Sequence, residues 1–208
     1  MSAAPVFVSA AVEGLVDEVA LRKICQLAGT TLGDVYGRSG KQFVLSRLGG
    51  YNSSARYRHW VVLLDLDTDF DCAPDAIRSW LARPADLMCL RVAVREVEAW
   101  LLADRDSTAA FLGVRPQLVP VTPDDAHDPK LALIDLARRS RSRAIREDIV
   151  PEPGSGRSEG PAYAARMIEF IAGHWRPAIA AAHSPSLRRC IDAIASLAAK
   201  PYPVRGGS

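Results

Sequence analysis

Acidic residues recur at every second position in Asp65-Leu66-Asp67-Thr68-Asp69-Phe70-Asp71, directly after the apolar run His59-Trp60-Val61-Val62-Leu63-Leu64. A lone Glu13 closes an earlier run, Val6-Phe7-Val8-Ser9-Ala10-Ala11-Val12, just before Gly14. Carboxylates gathered at strand ends repel one another unless something positive lies between them. Oxygen donors of this kind suit a hard divalent cation, Mg²⁺, Mn²⁺ or Ca²⁺. Residues two apart on an extended segment point the same way, so Asp65 and Asp67 are expected to reach one ion. Glu13 would be either a further ligand or the general base that takes a proton from water or a hydroxyl. Such an ion polarises a phosphoryl oxygen and lowers the pKa of a bound water, which points to phosphodiester hydrolysis.

The elements that must hold these groups alternate. Val6 to Val12 has the length and β-branched content of a buried strand. The period then changes, with Val16, Val19, Ala20, Ile24, Leu27 and Ala28 at helical spacing up to Gly29. Thr31 to Tyr36 is a second strand candidate, 37–41 a loop and Gln42 to Leu48 a helix. Trp60 to Leu66 reads as a strand covered on both faces. Pro74 to Leu81 reads as a helix with Pro in its first turn, Leu87 to Val94 as a strand and Glu96 to Ala103 as a helix. Strand and helix in turn imply a parallel α/β sheet, and ligands bind such sheets at the C-terminal ends of their strands. Glu13, Asp65, Asp67 and Glu96 or Glu98 all fall at such ends. After Asp104 prolines interrupt the chain. Lys130 to Arg139, Ala162 to Ala182 and Pro185 to Ala199 read as helices, and 150–161 as a loop. The expected layout is a core over 1–104 and a helical extension over 105–208.

Bulk properties narrow the function classes. A net charge of +2 does not by itself drive strong binding to nucleic acid. No apolar run reaches the roughly 18 residues of a membrane span, and the N-terminus lacks the basic and apolar regions of a signal peptide, so a cytoplasmic protein is expected. Cys25, Cys72, Cys89 and Cys190 form no CxxC pair and read as buried free thiols. The histidines match no metal or triad spacing.

A Glu after the first strand and an Asp-x-Asp after a later one resemble the TOPRIM pattern. Val12-Glu13-Gly14-Leu15-Val16-Asp17-Glu18 looks like the opening of the overcoming-lysogenization-defect (OLD) nucleases. There a second acidic residue, more often Glu, follows the first by four positions; here it is Asp17. Glu98-Ala99-Trp100-Leu101-Leu102-Ala103-Asp104 resembles the Glu-x-Trp-Leu-Leu segment of small stand-alone TOPRIM-like proteins, the domain of unknown function 4276. The resemblance implies a TOPRIM-like Rossmannoid parallel sheet flanked by helices, with a C-terminal helical extension. It further implies a Mg²⁺- or Mn²⁺-dependent nuclease acting on DNA or RNA, linked to anti-phage defence. The metal set would be Glu13, Asp17, Asp65, Asp67 and Asp69, with Asp17 binding a second ion. Glu98 would support Glu13, Asp65 and Asp67 in catalysis. The alternative is a non-catalytic or partner-dependent subunit that binds metal or nucleic acid and works with an ATPase.

Each acid also has a structural reading. Glu13, Asp17 and Glu18 suit the N-terminus of a helix, where negative charge is favoured. Asp71 suits a cap before Pro74. Asp65 to Asp71 lacks the Gly and closing Glu of a calcium loop. Glu96 and Glu98 cannot both face the sheet edge, so at least one is expected to be solvated. Gly37-Arg38-Ser39-Gly40-Lys41-Gln42 resembles a phosphate loop but fails the Walker pattern; Arg38 and Lys41 are its candidate phosphate contacts. Gly154-Ser155-Gly156-Arg157 offers Arg157 in the same role, or is a plain linker. Arg138, Arg139, Arg141, Arg143 and Arg146 read as a solvated basic face or a nucleic-acid contact.

Overall fold

A computed structural model describes residues 5–202. The described chain divides into two compact units, one holding residues up to Ala93 together with those from Arg189 onward, the other Val94–Arg188. The first is the α/β unit. It runs β1 Phe7–Val12, α1 Leu15–Leu27, β2 Thr31–Gly37, α2 Lys41–Ser54, β3 Trp60–Asp65, α3 Ala73–Trp80 and β4 Met88–Ala93. All pairings are parallel and the strand order is β2-β1-β3-β4. The continuous apolar runs seen in the sequence become strands buried on both faces: Val8 to Val12 and Trp60 to Leu64 are all buried.

One face carries Ala11, Trp60, Val62, Leu64, Met88 and Leu90, packed on Val44, Leu48 and Tyr51 of α2, with Ile77 and Trp80 of α3 beside them. The other face meets α1, whose Ala20, Leu21 and Ile24 are fully buried. Cys190, in a final helix α10 that spans Pro185–Ala198, lies close to Cys89 and Arg91 of β4 on that side. The strand order has a functional consequence. From β1 the chain steps outward to β2, then crosses back to β3 on the far side, so the connections part between β1 and β3. That parting is the topological switch point, where the C-terminal ends of neighbouring strands open a crevice.

The second unit holds α4 Val97–Leu102, α5 Arg105–Leu112, α6 Pro129–Arg138, α7 Arg143–Ile149, α8 Tyr163–Gly173 and α9 Pro177–Ala180. Trp100, Trp175, Tyr163 and Phe170 are its largest fully buried side chains. The Trp100 indole donates to Ser186 Oγ at 2.7 Å and the Trp175 indole to the Trp100 carbonyl at 3.0 Å. Asp104, fully buried, is gripped by Arg176 through Nη2 at 2.6 Å and Nε at 3.0 Å. The single helix expected over 162–182 is instead two, because Pro177 lacks an amide hydrogen and starts a new helix. The basic run at 138–146 is partly helical: Ser142 caps α7 by accepting from the Ile145 amide, so Arg143 and Arg146 are helix residues.

Gly37 ties the β2–α2 loop to the strand ends. Its φ is +93°, and a Cβ there would stand 2.2 Å from the Val12 carbonyl oxygen. Gly37→Ala is therefore expected to cost about 2–4 kcal/mol, read by urea unfolding. A loss below about 1 kcal/mol would mean that the loop moves away freely.

Candidate functional site

The switch point is where the first acids meet. Glu13 follows β1 and Asp65 ends β3, and Glu13 Oε1 accepts the Asp65 amide hydrogen at 2.8 Å. The Glu13 backbone is pinned from the other side. Its carbonyl accepts the Gly40 amide at 3.0 Å, while the Val12 carbonyl accepts from Arg38 at 2.9 Å. Burial pushes the Glu13 carboxyl above its ordinary range, and the Asp65 amide and the Lys41 ammonium pull back only part of the way. A half-buried carboxyl that holds a proton more readily than usual is the material of a general base.

Asp67 and Asp69 do not continue the extended segment on which the shared-ion expectation rested. β3 ends at Asp65, the chain turns, and Asp67 adopts a left-handed conformation with φ +49°. Asp tolerates that region better than most residues. The turn delivers both carboxylates to Lys41: Nζ lies 2.5 Å from Asp67 Oδ2 and 2.7 Å from Asp69 Oδ2. The lysine side chain is 9% exposed, while the two aspartates are 44% and 48% exposed, so the ammonium is covered and its partners face solvent. Nζ also lies 5.6 Å from the centre of the Trp80 ring. Burial works against the Lys41 charge, but the hydrogen bonds it donates to Asp67 and Asp69 outweigh it and hold the ammonium above its ordinary pKa.

The neighbouring acids have structural partners. Asp17 is buried, and its Oδ2 accepts the Gly14 amide at 2.7 Å, closing the first turn of α1. Glu18 pairs with Arg22 at 3.1 Å and with Arg38 at 2.5 Å, so the Arg38 expected to meet phosphate is engaged by Glu18. Asp71 is exposed and is not the cap of α3; Cys72 holds that position and donates its thiol to Asp75 at 3.2 Å. Cys72 is also exposed, against the expectation of four buried thiols, whereas Cys25, Cys89 and Cys190 are buried.

A hard divalent ion needs several oxygens closing on one point. The donor chemistry here is right, but among the described residues no three His, Cys, Asp or Glu groups come together as such a site. Asp67 and Asp69 converge on an ammonium instead. As arranged, the acids do not fit a divalent ion.

Glu98 and Arg157 belong to the second unit. Arg157 lies in an exposed loop. Glu98, in the first turn of α4, is buried, and its Oε1 accepts the Tyr163 hydroxyl hydrogen at 2.9 Å. Glu96, the residue before α4, accepts the Lys130 amide hydrogen at 2.9 Å. Lys130 Nζ pairs with Glu159 at 2.8 Å and stands 5.0 Å over the Tyr163 ring. The expectation that one glutamate of the pair is solvated fails: Glu96 is half-buried and Glu98 buried. Burial and the nearby Glu98 push Glu96 up to about 7, and burial raises Glu98 as well. Tyr163, Lys130 and Glu159 carry no local sequence signal as partners, since the contacts are long-range: Tyr163 lies 65 residues from Glu98 and Lys130 34 from Glu96. The segment 99–102 that resembles the Trp-Leu-Leu motif is entirely buried and builds the core of this unit.

No family model, curated protein or solved structure matches the chain. Among the described residues no helix is long and apolar enough to cross a membrane.

Because Glu96 moves from 4.5 unfolded to about 7 folded, the folded chain holds the extra proton between those values, and stability falls as pH rises through that window. Glu96→Gln is expected to flatten this slope. It should gain about 1–2 kcal/mol over the parent above about pH 8, after allowing for the solvent that reaches this half-buried group. Urea unfolding across the window checks it, and an unchanged slope would place the proton elsewhere.

Proposed function

We propose that the chain is a phosphodiester hydrolase of the TOPRIM/OLD type, acting on DNA or RNA in the cytoplasm, as an anti-phage effector, and held closed by Lys41 when it stands alone. What supports this reading is Glu13 joined to Asp65 across the switch point of a parallel sheet, the crevice in which such sheets bind ligands. Glu13 is the base of this reading, because burial already favours its taking a proton. Lys41 is the group that meets the substrate. It opens α2, whose first turn has no side-chain cap and no acidic residue, so amide dipole and ammonium present positive charge together. Asp67 and Asp69 hold that ammonium from the solvent side. A phosphate drawing Lys41 onto itself would exchange two carboxylate partners for one phosphate and leave both aspartates facing the crevice. Mg²⁺ or Mn²⁺ is the cofactor the resemblance implies, and it belongs to the proposal as something to be tested.

The ion pairs of Lys41 also favour a second reading. A site closed in the isolated chain suits a subunit that acts only with a partner, such as an ATPase that brings the nucleic acid.

The test is cleavage of plasmid, linear duplex, single strands and RNA with Mg²⁺, Mn²⁺ and EDTA. The hydrolase reading expects cation-dependent cutting, abolished in Asp65→Ala/Asp67→Ala and reduced about 10²–10⁴-fold in Glu13→Gln. If every nucleic acid stays intact and calorimetry detects no Mn²⁺ uptake, the hydrolase reading is lost. Mn²⁺ uptake without cutting moves the search to the partner.

A further inference from the structure

A second feature of the α/β unit lies away from the acids. Beside α2 a cavity of about 470 Å³ is lined by Tyr36 of edge strand β2, Tyr51 of α2 and Trp60 of β3. The three rings form a triangular cluster: Tyr36 and Trp60 have centroids 5.4 Å apart at 28°, Tyr51 and Trp60 4.9 Å apart at 24°, and Tyr36 and Tyr51 6.2 Å apart at 39°. Tyr51 and Trp60 are buried, but Tyr36 is 44% exposed. Arg47 and Arg58, both exposed, line the same cavity.

One observation says that the space is kept rather than left over. Gly50 sits inside α2, where glycine costs about 1 kcal/mol against alanine. A Cβ at Gly50 would meet nothing within 4 Å, so packing does not demand the glycine; a side chain there would project into the cavity. An occupant of this lining would need a flat face for the aromatic cluster and an anionic group for two guanidiniums.

We propose that this cavity binds a nucleoside phosphate, with the base against the exposed Tyr36 ring of the aromatic cluster and the phosphate on Arg47 and Arg58. The nucleoside phosphate is either a free nucleotide or one unit of a single strand. The inference is independent of the proposed hydrolase activity, because its readout is binding.

Calorimetry and saturation-transfer NMR on the full chain, without divalent cation, test it with AMP, adenosine, ribose 5-phosphate and a short oligoadenylate. AMP is expected to bind, adenosine at least about fivefold more weakly, and ribose 5-phosphate not measurably. An oligoadenylate tighter than AMP identifies a strand site, and equal affinity a free-nucleotide site; both support the proposal. Gly50→Leu should fill the cavity and weaken AMP at least about tenfold, while its Tm stays at or above the parent value because a helix interior prefers Leu to Gly. Arg47→Ala/Arg58→Ala should bring AMP down to the level of adenosine. The proposal is overturned if AMP and the oligomer both fail to bind, if ribose 5-phosphate matches AMP, or if Gly50→Leu folds and binds AMP undiminished.

Discussion

A parallel sheet ends all its strands on one side, so acids placed after successive strands are forced into one another's fields. Glu13, Asp67 and Asp69 are placed in this way, and Lys41 is the cation that stands among them. The geometry of the α/β unit around that lysine follows from this requirement. The turn after β3 brings Asp67 round through a left-handed residue to reach it. The β2–α2 loop is pinned to the Val12 and Glu13 carbonyls, which sets where α2 begins and so where Lys41 stands. Trp80 of α3 covers the ammonium from the apolar side. An ammonium meets two carboxylates with flexible donors and no fixed coordination number, so it tolerates a looser arrangement than a divalent ion would.

The strand ends were legible because their signals are local. A six-residue apolar run with β-branched content reads as a buried strand wherever it occurs, and Glu13 and Asp65 can be placed from that alone. The order of elements through α4 follows from the change of period between strand and helix. What could not be read was the partner of each acid. The expectation that Asp65 and Asp67 share an ion assumed that the chain stays extended past Asp65, and one left-handed residue undoes it. Lys41 and Asp67 are 26 residues apart, and Glu98 and Tyr163 are 65 apart. Neither separation leaves a trace in periodicity. The helix start at Pro185 is visible in the sequence, but its support from Asp124, which accepts from both Ser184 and Ser186, lies 60 and 62 residues away in a stretch interrupted by prolines.

The same limit explains why Glu-Ala-Trp-Leu-Leu carries less chemical information than its resemblance suggests. Ala99, Trp100, Leu101 and Leu102 are fully buried, and the Trp100 indole is satisfied by Ser186. Those four positions are explained by packing. Glu98 is the exception within the motif, since a carboxylate is a poor core residue unless its oxygens are satisfied, and Tyr163 satisfies one of them.

Both units repeat one physical arrangement. Each sets carboxyl groups that burial makes harder to ionise beside a single lysine whose ammonium is stabilised by other acids: Glu13 beside Lys41, and Glu96 with Glu98 beside Lys130. In each the acids outnumber the base. For stability alone, apolar side chains of similar size would serve as well or better, because desolvating charges costs more than imperfect pairing returns. Where local choices run against the stability of the fold, the departure is expected at working surfaces. The two clusters differ in one respect that separates their roles. Asp67 and Asp69 present their outer faces to solvent and can exchange Lys41 for another partner. Glu98 is enclosed, with the tyrosine hydroxyl as a donor to its carboxylate. On these grounds the carboxylates around Lys41 are the exchangeable set, and the Glu98–Tyr163 pair is an enclosed contact of the helical unit.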